Sequence, residues 1–91
     1  MQHLNTKKSK IIFEILSKIL KEERQKQGKS IRLLADEYDL QNSLICRLEN
    51  CKNEPKLISL WSVCEALNIK MSYLMEQIEK NLPPDFFLIE K

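Results

Sequence analysis

One glycine, one histidine and no Cys-x-x-Cys pair leave these 91 residues without the parts that many chemistries need. With Gly28 alone, neither a Walker-type phosphate loop nor a dinucleotide fingerprint can be written. His3 lies next to the N-terminus, far from any folded pocket, which argues against a Ser-His or Cys-His nucleophile pair. Cys46, Cys51 and Cys64 are odd in number and lack zinc-ligand spacing, so they read as buried thiols, with a Cys46–Cys51 redox pair as the alternative. The longest apolar run, Phe86 to Ile89, falls far short of the roughly 20 residues that span a bilayer. Lys7, Lys8 and Lys10 would suit a signal peptide, but Glu14, Ser17 and Lys18 interrupt the stretch after them. The expectation is a cytoplasmic protein that contacts no membrane, has no enzymatic activity and requires no cofactor or metal.

What the sequence does have is charge, unevenly placed. Residues 1–32 carry nine Lys/Arg against three Glu, a net of +6, while residues 33–91 carry six Lys/Arg against ten Asp/Glu, a net of −4. A polyanion near the N-terminal half suits this asymmetry, and so does a merely solvated face. The chain length fits one small domain.

Apolar spacing predicts helices throughout. From about residue 9 to 27, Ile12, Leu16, Ile19, Leu20 and the stem of Glu23 fall on one stripe, and Gly28 follows as a left-handed cap. Ser30 is a good N-cap for a second helix reaching Tyr38, and Asp39 stands where a short turn must precede a third helix, from about Gln41 to Asn50. Pro55 introduces a fourth helix over about 56–67, with Leu57, Leu60, Trp61, Cys64 and Leu67 as its apolar face, and Asn68 stops it. A fifth helix is expected over about 72–81. The prolines of "LPPDFFLIEK" then forbid further helix. The expected organisation is a flexible basic arm over 1–10, a helical domain over 11–81 and an apolar tail over 82–91. That tail either folds back on its own domain or pairs with a neighbour's tail as an added strand.

Two helices joined by a very short turn, the second polar on its outer side, make a helix-turn-helix. The set Ser30, Leu34, Ala35, Leu40, Ser43, Ile45, Arg47, Glu49, Lys52, Pro55, Leu57, Leu60, Ala66, Leu67 and Leu74 resembles the Cro/CI-like (XRE) helix-turn-helix family of phage and bacterial repressors, over roughly residues 12–80. The resemblance implies an all-α, five-helix, lambda-repressor-like domain that binds double-stranded DNA as a homodimer and regulates transcription, as a repressor. It places the third helix in the major groove, with Gln41, Asn42, Ser43 and Arg47 at the base-contacting positions. Asn and Gln can bond adenine N6 and N7, and Arg can bond guanine O6 and N7. Ser30, Arg32, Lys52 and the backbone near Asn50 fall at phosphate-contacting positions. Arg24 and Glu49 match a largely buried structural ion pair.

Several positions depart from the family pattern. Ile31 replaces a phosphate-clamping Gln, Leu33 replaces a polar residue, and Leu44 lies beside the candidate readers. Asp39 replaces a turn Gly, and Cys51 replaces the Gly that ends the third helix, with Asn50 as the residue that can take the left-handed conformation instead. These apolar substitutions, together with Asp36, Glu37 and Asp39, keep two other readings open: the antitoxin of a toxin-antitoxin pair, and a protein-interaction module that retains the fold.

Overall fold

The computed structural model describes residues 6–50 and 54–89. Five α-helices account for its regular structure: α1 (Thr6–Lys26), α2 (Ile31–Tyr38), α3 (Asn42–Glu49), α4 (Leu57–Ala66) and α5 (Met71–Lys80). Their order and type agree with the periodicity of the sequence, and α1, α2 and α4 are each followed by a residue at positive φ. Gly28, at φ 68°, turns the chain out of α1. Asp39, at φ 54°, closes α2, and the N–H groups of Asp39 and Leu40 both donate to the Ala35 carbonyl. Asn68, at φ 59°, does the same after α4, where Ile69 N–H donates to the Cys64 carbonyl.

Leu16 and Leu20 of α1, Leu34 and Ala35 of α2, Ile45 and Leu48 of α3, Leu60 and Cys64 of α4, and Leu74 and Ile78 of α5 meet in one core. Ala35 is small where α2 and α3 approach each other, which lets Leu34 and Ile45 become fully buried between the helices. Leu40, in the turn, packs on this core from a half-buried position.

The structure departs from expectation in four places. Helix α1 starts at Thr6, so residues 6–10 of the expected basic arm are helical; residues 1–5 lie outside the described residues. On α4, Leu57 and Trp61 were expected on the buried face but are 61% and 47% exposed; Val63 joins Leu60, Cys64 and Leu67 inside. Helix α5 starts and ends one residue early. Asn50 caps α3 at φ −105°, not in the left-handed region, and Cys51 is outside the described residues, as is any Cys46–Cys51 pair. Of the other two thiols, Cys64 is buried and Cys46 half-buried.

The tail lies back along α1. Lys8 Nζ donates to the Phe87 carbonyl at 2.8 Å and stands 5.8 Å from the centre of the Phe86 ring. Phe86 and Leu88 are half-buried while Phe87 and Ile89 are exposed, the alternation of an extended segment lying on a surface.

Candidate nucleic-acid interface

Helix α2 opens with Ser30, whose Oγ accepts the Leu33 N–H at 3.0 Å. That bond satisfies one of the donors left over at a helix start; the N–H groups of Ile31 and Arg32 precede the first intrahelical bond, which Leu34 N–H makes to the Ser30 carbonyl. Arg32 is exposed beside them. A helix start of this kind presents N–H dipoles and a cation on one side.

Helix α3 begins after Gln41, whose side chain makes no capping bond. Gln41, Asn42, Ser43 and Arg47 are all exposed, whereas Ile45 and Leu48 on the opposite side are buried. Leu44 is half-buried and, with Arg47, Leu48, Glu54, Pro55, Lys56 and Ser59, lines a hollow of about 280 Å³ between α3 and the start of α4. The exposed side chain of Asn50 folds back along the end of α3, its Nδ2 donating to the Cys46 carbonyl at 2.6 Å, and its backbone N–H is given to the Arg47 carbonyl. One of the two Nδ2 hydrogens of Asn50 therefore remains for a phosphate, while its backbone N–H does not. Lys52 lies outside the described residues.

Three bonds from α1 hold α3 in place. Arg24 Nε donates to Glu49 Oε2 at 2.7 Å and Arg24 Nη2 to Glu49 Oε1 at 2.9 Å, a bidentate pair with side chains 10% and 6% exposed. The remaining terminal nitrogen, Nη1, donates to the Lys29 carbonyl at 2.7 Å, tying the α1–α2 turn to the same cation. The hydrogen bond to Glu49 pushes the Arg24 pKa up, against the opposing effect of burial, so the guanidinium stays charged at every working pH. Ser17 Oγ donates to the Leu48 carbonyl at 2.6 Å. Sequence reasoning missed this serine, because its partner lies 31 positions away and nothing local distinguishes it from a solvated residue.

Charge elsewhere is mostly local. Lys29 Nζ pairs with Glu37 at 2.9 Å and lies 5.7 Å from the centre of the Tyr38 ring; its pKa is raised chiefly by the bond to Glu37. Glu37 is thus partly neutralised, and Asp36 and Asp39 remain exposed on the same helix end. Burial alone pushes the Cys64 thiol up to about 11, so at neutral pH it is a protonated core residue and not a nucleophile. Among the described residues no cluster of His, Cys, Asp or Glu has the arrangement of a metal site, and no helix is long and apolar enough to cross a membrane.

Comparison with known proteins agrees with this architecture. The family model described as Helix-turn-helix matches residues 20–74, which span the last seven residues of α1, all of α2, α3 and α4, and the first four residues of α5. Among solved structures, the clp gene regulator ClgR from C. glutamicum superposes with a TM-score of 0.67 at 24% identity, covering 79% of this chain and 92% of that one; at such identity the likeness speaks for the fold. No curated protein sequence matches the chain. With the matched segment covering more than half of the sequence and containing the α2–turn–α3 unit, the chain belongs to the XRE-type helix-turn-helix family of DNA-binding transcription regulators.

Proposed function

We propose that the protein is a sequence-specific repressor, acting in the cytoplasm as a homodimer, which reads the major groove with the N-terminal part of α3. The observation that carries this reading is the division of α3 into two sides: Gln41, Asn42, Ser43 and Arg47 exposed, Ile45 and Leu48 buried and the far end anchored to α1. Arg47 suits guanine and the amides suit adenine, each good bidentate pair being worth about 1 to 3 kcal/mol of discrimination. Ser30, Arg32 and the open N–H groups of α2 serve the phosphates, with Lys52 as a further contact. Asn50 is the weakest of the phosphate assignments, because its backbone N–H and one of its two side-chain N–H groups are already used. A regulator seated on an operator that overlaps a promoter excludes polymerase, which makes repression the direct consequence of binding.

Homodimerisation is supported by the outer face of α4. Leu57, Ile58 and Trp61 are 61%, 72% and 47% exposed, an apolar stripe that a second copy would cover. Two recognition helices related by a two-fold axis would reach successive major grooves about 34 to 36 Å apart. Leu33, 46% exposed on α2, favours a second reading in which a toxin or other protein partner covers α2 in place of DNA.

Fluorescence anisotropy decides between them. Wild type and Arg47→Ala are titrated with DNA from upstream of the protein's own gene and with scrambled DNA, each at two salt concentrations. The expected result is a preference for the upstream DNA that Arg47→Ala loses, roughly 5- to 150-fold, with an unchanged salt slope. Equal and weak binding of all DNAs by both proteins would overturn the base-reading role of α3.

A further inference from the structure

We propose that the groove between α1, α5 and the C-terminal tail docks a cationic amphipathic helix of a partner protein, and that its occupancy is transmitted to the DNA-facing side through Glu54 and Pro55. The groove holds about 840 Å³, three times the hollow beside Arg47. Its floor includes Leu16 and Ile78, and Phe13, Met75 and Leu82 form its sides. Met75 is 39% exposed, a large apolar side chain that the fold leaves facing solvent. An open groove bounded by two helices takes the apolar face of a third, which brings about four anchors at i, i+3, i+4 and i+7.

Charge sets the kind of helix. Among the described lining residues the only ionisable groups are Glu54 and Glu79, both exposed, and neither has an ion-pair partner among the described residues. A neutral apolar occupant would strip water from these carboxylates without replacing it, whereas lysines or arginines flanking the apolar anchors would pair with them. The occupant is therefore apolar along its centre and basic at its borders.

Position supplies the consequence. Glu54 and Pro55 line both this groove and the hollow that contains Leu44, Arg47 and Lys56, so one short segment forms a wall of each. A helix seated against Pro55 bears on the same wall that faces Arg47 from the other side. Two sites that share a wall are coupled whenever an occupant of one shifts that wall. This second clause rests on the DNA-binding role of α3; the docking clause does not.

The docking clause is tested without DNA, on the full chain. A fluorescein-labelled peptide of about 18 residues, with leucines at helical spacing and lysines beside them, is titrated by anisotropy against a second peptide carrying glutamate for each lysine. The lysine peptide is expected to bind in the micromolar range and the glutamate peptide about tenfold more weakly or worse. Met75→Lys, at an exposed position that leaves the core intact, is expected to weaken the lysine peptide by about tenfold with an unchanged melting temperature, and Glu54→Lys combined with Glu79→Lys to do the same. Failure of the lysine peptide to bind, equal binding of both peptides, or indifference to Met75→Lys would overturn the proposal. So would saturable binding of a dodecylammonium ion that Met75→Lys abolishes while the peptide does not bind, since the occupant would then be a small amphiphile.

The coupling clause is tested by repeating the upstream-DNA titration with saturating lysine peptide. A change in DNA affinity in wild type that is missing in Met75→Lys supports coupling, and the variant also controls for direct peptide binding to DNA. Peptide binding that leaves DNA affinity unchanged overturns the coupling. Absence of DNA binding before any peptide is added counts against the DNA-reading role of α3, and leaves the peptide result standing on its own.

Discussion

Replacing Glu49 with Met would leave the Arg24 guanidinium sealed between α1 and α3 without its counter-charge. The Arg24 side chain is 10% exposed and cannot shed its proton, so the cost falls wholly on folding. Breaking a buried pair from one side costs about 3 to 5 kcal/mol. Against the roughly 5 to 14 kcal/mol expected for a domain of 91 residues, that loss is a large fraction of the total. Arg24→Met should cost more, because it also removes the donor to the Lys29 carbonyl, a further loss of about 1 to 3 kcal/mol. The double variant Arg24→Met, Glu49→Met buries no charge, and methionine follows the same path as either original side chain. Its destabilisation should therefore fall below the sum of the singles by about 2 kcal/mol or more. Urea unfolding followed by circular dichroism at 222 nm gives all four corners of the cycle, provided the slope with urea is unchanged. Singles that add to the double within about 0.5 kcal/mol would show that the two residues are neighbours and not a lock, and would refute the account of how α3 is held.

Gly28→Ala is expected to lower stability by about 1 kcal/mol, and the melting temperature by about 4 to 8 °C. A Cβ there meets nothing within 4 Å, so the cost comes from φ 68° alone; a variant as stable as wild type would show that the turn relaxes. Cys64 gives stability a pH dependence whose sign can be worked out. Its thiol is raised in the native state from 9.0 to about 11, so below pH 9 both states hold the proton and its contribution is constant. Between pH 9 and about 11 the unfolded chain releases the proton while the native state keeps it, and stability falls as pH rises, by about 3 kcal/mol in all. Urea midpoints from pH 8 to 11, under reducing conditions, should fall more steeply for wild type than for Cys64→Ala; parallel curves would refute the assignment.

The helices were legible because their ends carry strong local signals. Gly28, Asp39 and Asn68 all adopt positive φ, and each is of a residue type that tolerates it. The start of α1 carries no such signal: apolar spacing suggests a start near residue 9, yet the helix begins at Thr6. Helix α4 shows a different failure. Its sequence LISLWSVCEA is apolar on nearly every side, so spacing alone cannot say which side is buried. Contacts with α3 and α5 make that choice, taking Leu60, Val63 and Cys64 and leaving Leu57, Ile58 and Trp61 outside. The ion pair of Arg24 with Glu49 entered through family resemblance, since no local rule links residues 25 positions apart. The groove beside α5 was invisible for a related reason: its lining comes from α1, the α3–α4 segment, Leu60 of α4, α5 and the tail, and exists only once these meet.

Anchoring from α1 has a functional consequence that exposure alone does not supply. A helix of eight residues is marginal by itself, and a helix free to tilt would lose orientation entropy on each DNA encounter. Here the start of α3 is fixed by the Asp39 turn, with Leu40 packed on the core, and its end by Ser17 and Arg24 through the Leu48 carbonyl and the Glu49 carboxylate. Every one of these bonds uses the inner side or the ends of the helix, so none draws on Gln41, Asn42, Ser43 or Arg47. The four exposed side chains thus stand on a backbone whose orientation is set before any partner arrives. Loss of the Ser17 or Arg24 bonds should therefore weaken binding to every DNA sequence, whereas loss of Arg47 should weaken discrimination between sequences, and that difference separates a holding role from a reading one.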